Sequence, residues 1–149
     1  MKNDCLFCAI AGGEIPSNKV YEDELCYAFY DISPQAPTHF LVIPKAHIAS
    51  VAEVDGGNSA VVAHIFEVIA RLCREKGLES YRVVSNIGEQ AGQSVHHLHF
   101  HVLSGRDMVQ IHAGWNDHHQ KEETGQSELQ HSDCLLFVSE FLRMHQSIQ

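Results

Sequence analysis

Basic residues are scarce in this chain. Lys and Arg together number 10 against 19 Asp and Glu, and the formal charge is -9 over 149 residues. The basic residues form no block, which excludes a general nucleic-acid or anionic-membrane surface, because such surfaces work by clustering Lys and Arg against phosphates. Any phosphate must be held locally. Long apolar runs are also missing: residues 40–43 and 59–73 are too short or too interrupted for the roughly 20 residues of a spanning helix. The opening Met1-Lys2-Asn3-Asp4-Cys5 lacks the charged-then-apolar pattern of a secretory signal, so a cytoplasmic protein is expected. Cysteines number 5, an odd count that suits reduced thiols better than a disulfide framework. No internal repeat is visible. At 149 residues with 44% hydrophobic content the chain is most simply one domain with a real core.

Histidine is plentiful, with 12 residues, and its placement is the most informative feature. In Gln93-Ser94-Val95-His96-His97-Leu98-His99-Phe100-His101-Val102-Leu103, three imidazoles recur at every second position. Read as a strand over 95–103, successive side chains alternate between faces and same-face neighbours lie about 6.6 Å apart. His97, His99 and His101 then share one face, Leu98, Phe100 and Val102 pack on a core from the other, and His96 faces that core side. A neutral imidazole is a competent nucleophile toward phosphorus when one ring nitrogen is held protonated by an acceptor and the other presents its lone pair. His99 is best placed for that role. His101 can bind or protonate phosphoryl oxygens, and Ser94 can donate to a phosphate oxygen or to the leaving group.

The remaining elements follow from period and punctuation. A short helix is expected over 6–11, stopped by Gly12-Gly13, and strands over 19–22 and 25–31 are separated by the acidic turn Asp23-Glu24. The two prolines of 33–37 mark a loop, and 39–43 reads as a buried strand. Residues 59–76 form the strongest helix signal, with Val61, Val62, Ile65, Phe66, Ile69, Leu72 and Cys73 on one stripe, Asn58 or Ser59 as cap and Gly77 as the left-handed stop. His64 lies near that stripe as a packing or surface residue. Strands are expected over 81–87 and 95–103. Residues 116–131 read as a polar linker, and 132–149 as an extension holding an apolar helix from 134 to about 145. The class is α+β on a mostly antiparallel sheet.

Gly92-Gln93-Ser94-Val95-His96-His97-Leu98-His99-Phe100-His101-Val102-Leu103, together with Asp31-Ile32-Ser33-Pro34-Gln35-Ala36-Pro37-Thr38-His39-Phe40-Leu41-Val42-Ile43-Pro44-Lys45, closely resembles the histidine triad (HIT) nucleotide-binding proteins. The match runs from about Cys5 to Met108. It implies a HIT domain over 1–115 with a five-stranded sheet, one long and one short helix, and a homodimer whose sheets join edge to edge. It also implies a purine nucleoside monophosphate site and hydrolysis of phosphoramidates through a nucleotidyl-histidine. By the same resemblance His99, His101, Ser94 and His97 form the catalytic group and Asp31 hydrogen-bonds the ribose hydroxyls. Phe29, Ile32 and Leu41 border the base, while Asn86, Gln93 and His39 surround the phosphate. Cys5-x-x-Cys8 makes half of a tetrahedral zinc site, which in zinc-containing relatives is completed by residues matching His47 and His97. Cys26, Cys73 and Cys134 read as core.

Other readings stay open at this point. The three histidines could instead bind a metal directly in a metal-dependent hydrolase, the chain could be a nucleotide-sensing or scaffold dimer, or it could cleave dinucleoside polyphosphates. Relatives that transfer nucleotides carry Gln at the third triad position, so His101 favours hydrolysis. The aprataxin-like branch is disfavoured, since residues 116–149 hold no basic tail with a Cys-and-His finger. The Trp- and Pro-rich tail of many relatives is replaced here by 109–149, and His96 stands where many have an aromatic residue.

Overall fold

The computed structural model describes residues 4–108. Helix α1 (Leu6–Ala11) is followed by strands β1 (Lys19–Glu22), β2 (Cys26–Tyr30) and β3 (Thr38–Pro44), then by helix α2 (Ser59–Glu75), β4 (Arg82–Val84) and β5 (Phe100–Ser104). The strands form one sheet in the order β1-β2-β3-β5-β4, and every neighbouring pair is antiparallel. The β1–β2 turn is set by Asp23, whose Oδ1 accepts the backbone N–H groups of Leu25 and Cys26 at 2.8 Å each.

Strand β3 sits in the middle and is buried along nearly its whole length, because helices cover both faces of the sheet. Its alternation sorts the core. Phe40 and Val42 face α2 with Cys26, Ala28, Leu98, Phe100 and Val102, while Leu41 and Ile43 join Tyr27, Phe29, Phe7 and Ile10 on the α1 side. Helix α2 lays Ile65, Val68, Ile69, Leu72 and Cys73 on the first layer, each worth about 1.5–3 kcal/mol where fully apolar and buried. Gly77 ends it at φ +67, a left-handed conformation that costs a glycine little.

Most expected elements are present with small shifts of boundary. The departures have physical causes. Asn58 occupies the cap position of α2, but its side chain turns away from the helix: Oδ1 accepts the Asp55 N–H and Nδ2 donates to the Glu53 carbonyl. Phe66, expected on the buried stripe, is exposed, although its ring meets Phe100 edge-on at 5.1 Å. The strand expected over 81–87 is confined to Arg82–Val84. His64 binds the β1–β2 turn, with Nε2 2.6 Å from Asp23 Oδ2. Burial works to raise the Asp23 carboxyl, yet the bonds from His64, Cys26, Leu25 and Tyr21 together hold it well below the usual carboxylate range.

The largest correction falls on the strand expected over 95–103. Regular pairing begins only at Phe100 and ends at Ser104, so His97 and His99 lie in irregular chain ahead of β5. The backbone there bonds elsewhere: the His97 N–H donates to the Val95 carbonyl, and the Leu98 N–H to the Ile48 carbonyl. The alternation survives, since Leu98, Phe100 and Val102 remain in the α2 core. His96, however, does not face that core. It is exposed, with Nε2 3.6 Å from Glu89 Oε1. The expected linker 116–131, the extension 132–149 and Cys134 lie outside the described residues, as does the end of the domain expected at 115. Among the described residues no helix is long and apolar enough to cross a membrane.

Candidate active site

The site grows from main-chain carbonyls that fix imidazole tautomers. His99 is 3% exposed, and its Nδ1 lies 2.6 Å from the His97 carbonyl oxygen. A carbonyl can only accept, so Nδ1 carries the proton and Nε2 keeps its lone pair. Phe7 packs edge-on against the ring at 5.1 Å, and Ser85 Oγ donates to the His99 carbonyl at 2.9 Å. Burial pushes the His99 imidazole below its ordinary value, against an opposing pull from the His97 carbonyl and Asp31. The result is a neutral ring in one tautomer.

His101, on β5, is fixed by a longer chain of bonds. The Gln35 N–H donates to His39 Nδ1 at 3.0 Å, so the proton of His39 is on Nε2, 2.9 Å from His101 Nδ1. His101 therefore accepts at Nδ1 and carries its own proton on Nε2. Burial, with His99 and His39 as neighbours, pushes the His101 imidazole down to about 3. Asp31 closes the group: its Oδ1 accepts the Ser33 N–H, and its Oδ2 lies 3.5 Å from His39 Nε2 and 3.9 Å from His101 Nδ1. Arg106 Nε donates to the Gln35 carbonyl, which anchors the 31–37 loop to the chain after β5.

Four other side chains converge on the α1 side. Helix α1 opens at Cys5, whose Sγ accepts the Cys8 N–H. His97 is fully buried, and its Nε2 donates to the Pro44 carbonyl at 2.8 Å, which leaves the Nδ1 lone pair facing Cys5 Sγ and Cys8 Sγ at 3.4 Å each. His47 Nδ1 lies 3.3 Å from Cys8 Sγ. A tetrahedral zinc with its usual sulfur and nitrogen bond lengths would set S and N about 3.6 Å apart, close to these separations. The Cys5, Cys8, His47 and His97 cluster could hold a metal ion, its ligand atoms all within 4.8 Å of one another.

These contacts disfavour the reading in which His97, His99 and His101 bind one metal together. Their ring nitrogens are directed to different partners: His97 to Pro44 and the thiols, His99 to a carbonyl, His101 to His39. Of the residues expected around a base, Phe29 and Leu41 are buried in the cluster with Phe7, and Ile32 is 67% exposed. Ser94 is exposed, and Asn86 is half-buried with Nδ2 3.4 Å from the Gly92 carbonyl. Gln93 is buried, its amide bonded to the Gly88 N–H and to the Ala49 and Val95 carbonyls. Sequence reasoning missed Phe7, Ser85 and Arg106, and it had no means to see the carbonyls of Pro44 and His97 as acceptors.

A family model for the HIT domain matches residues 12–108. The chain belongs to the HIT family. An uncharacterised HIT-like protein of Synechococcus elongatus is 45% identical over 110 residues, covering 73% of this chain and 96% of that one. The purine nucleoside phosphoramidase of Escherichia coli K12 is 39% identical over 110 residues, covering 72% and 92% respectively. Among solved structures, a HIT family hydrolase from Legionella pneumophila superposes with a TM-score of 0.71 at 46% identity, covering 72% of this chain and 98% of that one. Hydrolysis is the reaction class that this HIT kinship supports.

Proposed function

We propose that this HIT protein is a purine nucleoside phosphoramidate hydrolase that works through a nucleotidyl-histidine on His99 and releases a nucleoside monophosphate and an amine. The observation that carries the reading is the 2.6 Å bond from His99 Nδ1 to the His97 carbonyl, which keeps the proton on Nδ1 and the lone pair on Nε2. The similarity to a purine nucleoside phosphoramidase supports the substrate class.

In the first step His99 Nε2 forms a bond to phosphorus as the bond from phosphorus to the amine nitrogen breaks. The departing nitrogen takes a proton passed from solvent through the hydroxyl of Ser94, an exposed residue. The adduct is cationic on the imidazole, where Nδ1–H retains its carbonyl acceptor. Water then attacks phosphorus and loses a proton, and His99 departs as a neutral ring. His101 donates Nε2–H to a phosphoryl oxygen, since its own Nδ1 is occupied by His39. Asp31 takes the ribose hydroxyls as an acceptor-only group, Ile32, Phe29 and Leu41 border the base, and Asn86 and His39 flank the phosphate.

Zinc fits the Cys5, Cys8, His47 and His97 set as a structural ion. It would tie the start of α1 to the segments after β3 and before β5. The protein works in the cytoplasm as a homodimer joined through the three-residue edge strand β4, beside which Tyr81 and Ile87 are exposed.

Mass spectrometry of protein quenched during turnover of an adenosine phosphoramidate tests the reading. The adduct should be found on His99, should accumulate in His101→Ala, and should be absent from His99→Ala. Retention of more than about a tenth of the wild-type rate by His99→Ala would overturn the covalent route.

A further inference from the structure

Gln93 is 4% exposed, and every polar atom of its side chain is bonded within the protein. Its Oε1 accepts the Gly88 N–H at 2.9 Å, and its Nε2 donates to the Ala49 carbonyl at 2.7 Å and the Val95 carbonyl at 3.1 Å. The Gln93 N–H also donates to the Gly88 carbonyl at 3.1 Å, an acceptor it shares with the Ala91 N–H at 3.2 Å, so Gln93 meets both hydrogen-bonding groups of Gly88. The loop so closed is intrinsically loose. Gly88 sits at φ +82 and Gly92 at φ +92, conformations that glycine enters and leaves freely, and only the single turn Glu89–Ala91 lies between them. The third anchor, Ala49, follows His47 in the chain, and the fourth, Val95, also receives the His97 N–H.

We propose that Gln93 is a positioning residue for the phosphate side of the site, acting through its buried amide on the 88–95 loop and not as a phosphate ligand. The amide holds the loop shut at Gly88, fixes it to the segment after β3, and thereby sets where Ser94, the next residue, presents its hydroxyl. The inference rests on the hydrolase reading above only for the activity it tunes. A residue whose two donor hydrogens and acceptor are all engaged inside the fold has none left for an anion without breaking the loop. An amide is also the only uncharged side chain of this length that supplies both donors and acceptor. Met can match its shape but not its bonds, and ionised Glu retains the acceptor while placing negative charge against two carbonyl oxygens.

The test uses the full chain with Gln93→Met, Gln93→Glu, Ser94→Ala and the Gln93→Met, Ser94→Ala double variant. Hydrogen exchange of the nucleotide-free protein reads the loop directly: the Gly88 amide should exchange at least about tenfold faster in Gln93→Met and faster to a lesser degree in Gln93→Glu, which keeps the acceptor but loses both donors. With an adenosine phosphoramidate, Gln93→Met should lower kcat/KM about tenfold in the wild-type background and less than about threefold where Ser94 is already Ala, because the two act through one hydroxyl. Unchanged Gly88 exchange in Gln93→Met, or losses that multiply fully in the double variant, would overturn the positioning role and return Gln93 to direct phosphate contact. Should Gln93→Met fail to fold, unchanged Gly88 exchange in Gln93→Glu would by itself overturn the positioning role, and faster exchange there would support it. A wild-type protein that does not cleave the phosphoramidate sinks the hydrolase reading alone, and the exchange result still decides whether Gln93 holds the loop.

Discussion

Replacing His101 by Gln should flatten the acid limb of the protein's stability. The His101 imidazole is pushed from 6.5 down to about 3 in the fold, chiefly by burial. As pH falls below about 6.5 the unfolded chain therefore binds a proton that the native protein refuses, so native stability declines with falling pH. Between pH 7 and pH 5 the linkage relation gives a loss of about 2 kcal/mol from this residue, an average of about 1 kcal/mol per pH unit that approaches the limiting value of about 1.4 only toward pH 5. The side chain is only 20% exposed, so solvent screening reduces that figure modestly. Gln removes the titration and can still accept the His39 Nε2–H through its Oε1. His39 and His99 are also held low by burial and steepen the wild-type limb further in the same sense.

Urea unfolding at pH 7 and pH 5, at one protein concentration, measures the difference. Wild type should lose about 2 kcal/mol more than His101→Gln across that interval. Curves that shift in parallel, within about 0.5 kcal/mol, would mean that His101 takes up its proton in the native state as readily as in the unfolded chain. Burial would then not control the ring, and the neutral Nε2–H donor assigned to it would be wrong below pH 6.5.

Three further outcomes follow from single contacts. Phe7→Ala removes the ring that meets Phe29 at 5.5 Å and His99 at 5.1 Å, and should cost about 3–5 kcal/mol in chemical denaturation while lowering kcat more than it raises KM. Ser85→Ala deletes the hydroxyl bonded to the His99 carbonyl; a loss of about 1 kcal/mol in stability with a several-fold fall in kcat is expected, and an unchanged kcat would detach Ser85 from the site. Cys5→Ser with Cys8→Ser should lose bound zinc by elemental analysis and lower Tm, yet bind adenosine monophosphate within about tenfold of wild type, since no thiol lies in the His99, His101 and Asp31 group.

The fold was legible wherever burial imposed a period. The α2 stripe comes from side chains that must be sorted between core and exterior, and the sequence carries that sorting; the continuous apolar run of β3 marks it as buried without telling that Phe40 and Val42 face α2 while Leu41 and Ile43 face α1. Strand length was less legible for the same reason. Leu98 obeys the period 2 of β5 and belongs to its core, but its N–H is bonded to Ile48, outside any ladder, so side-chain alternation extends beyond main-chain pairing. The expectation for His96 failed through this gap. Without a ladder to hold the backbone, a polar ring at a nominally inward position turns out to Glu89. The triad and the Cys-x-x-Cys pair could be named because side-chain identity carries their chemistry. Arg106 holding Gln35, and Ser85 holding His99, join residues far apart in the chain through a carbonyl, which any residue possesses.

His97 shows how the two kinds of information differ within one residue. Its ring serves the four-residue cluster: Nε2 is committed to Pro44, and Nδ1 faces the thiols. Its carbonyl serves His99, fixing the tautomer in which Nε2 keeps its lone pair. Only the first role depends on being histidine. A substitution at position 97 that kept the backbone path would abolish the metal ligand and leave the acceptor in place, whereas displacing the backbone there would cost the His99 orientation even with all three triad rings intact. The regular spacing of the triad thus marks which rings take part. The irregular backbone before β5, which leaves the His97 carbonyl outside a ladder, determines which nitrogen of His99 keeps its lone pair.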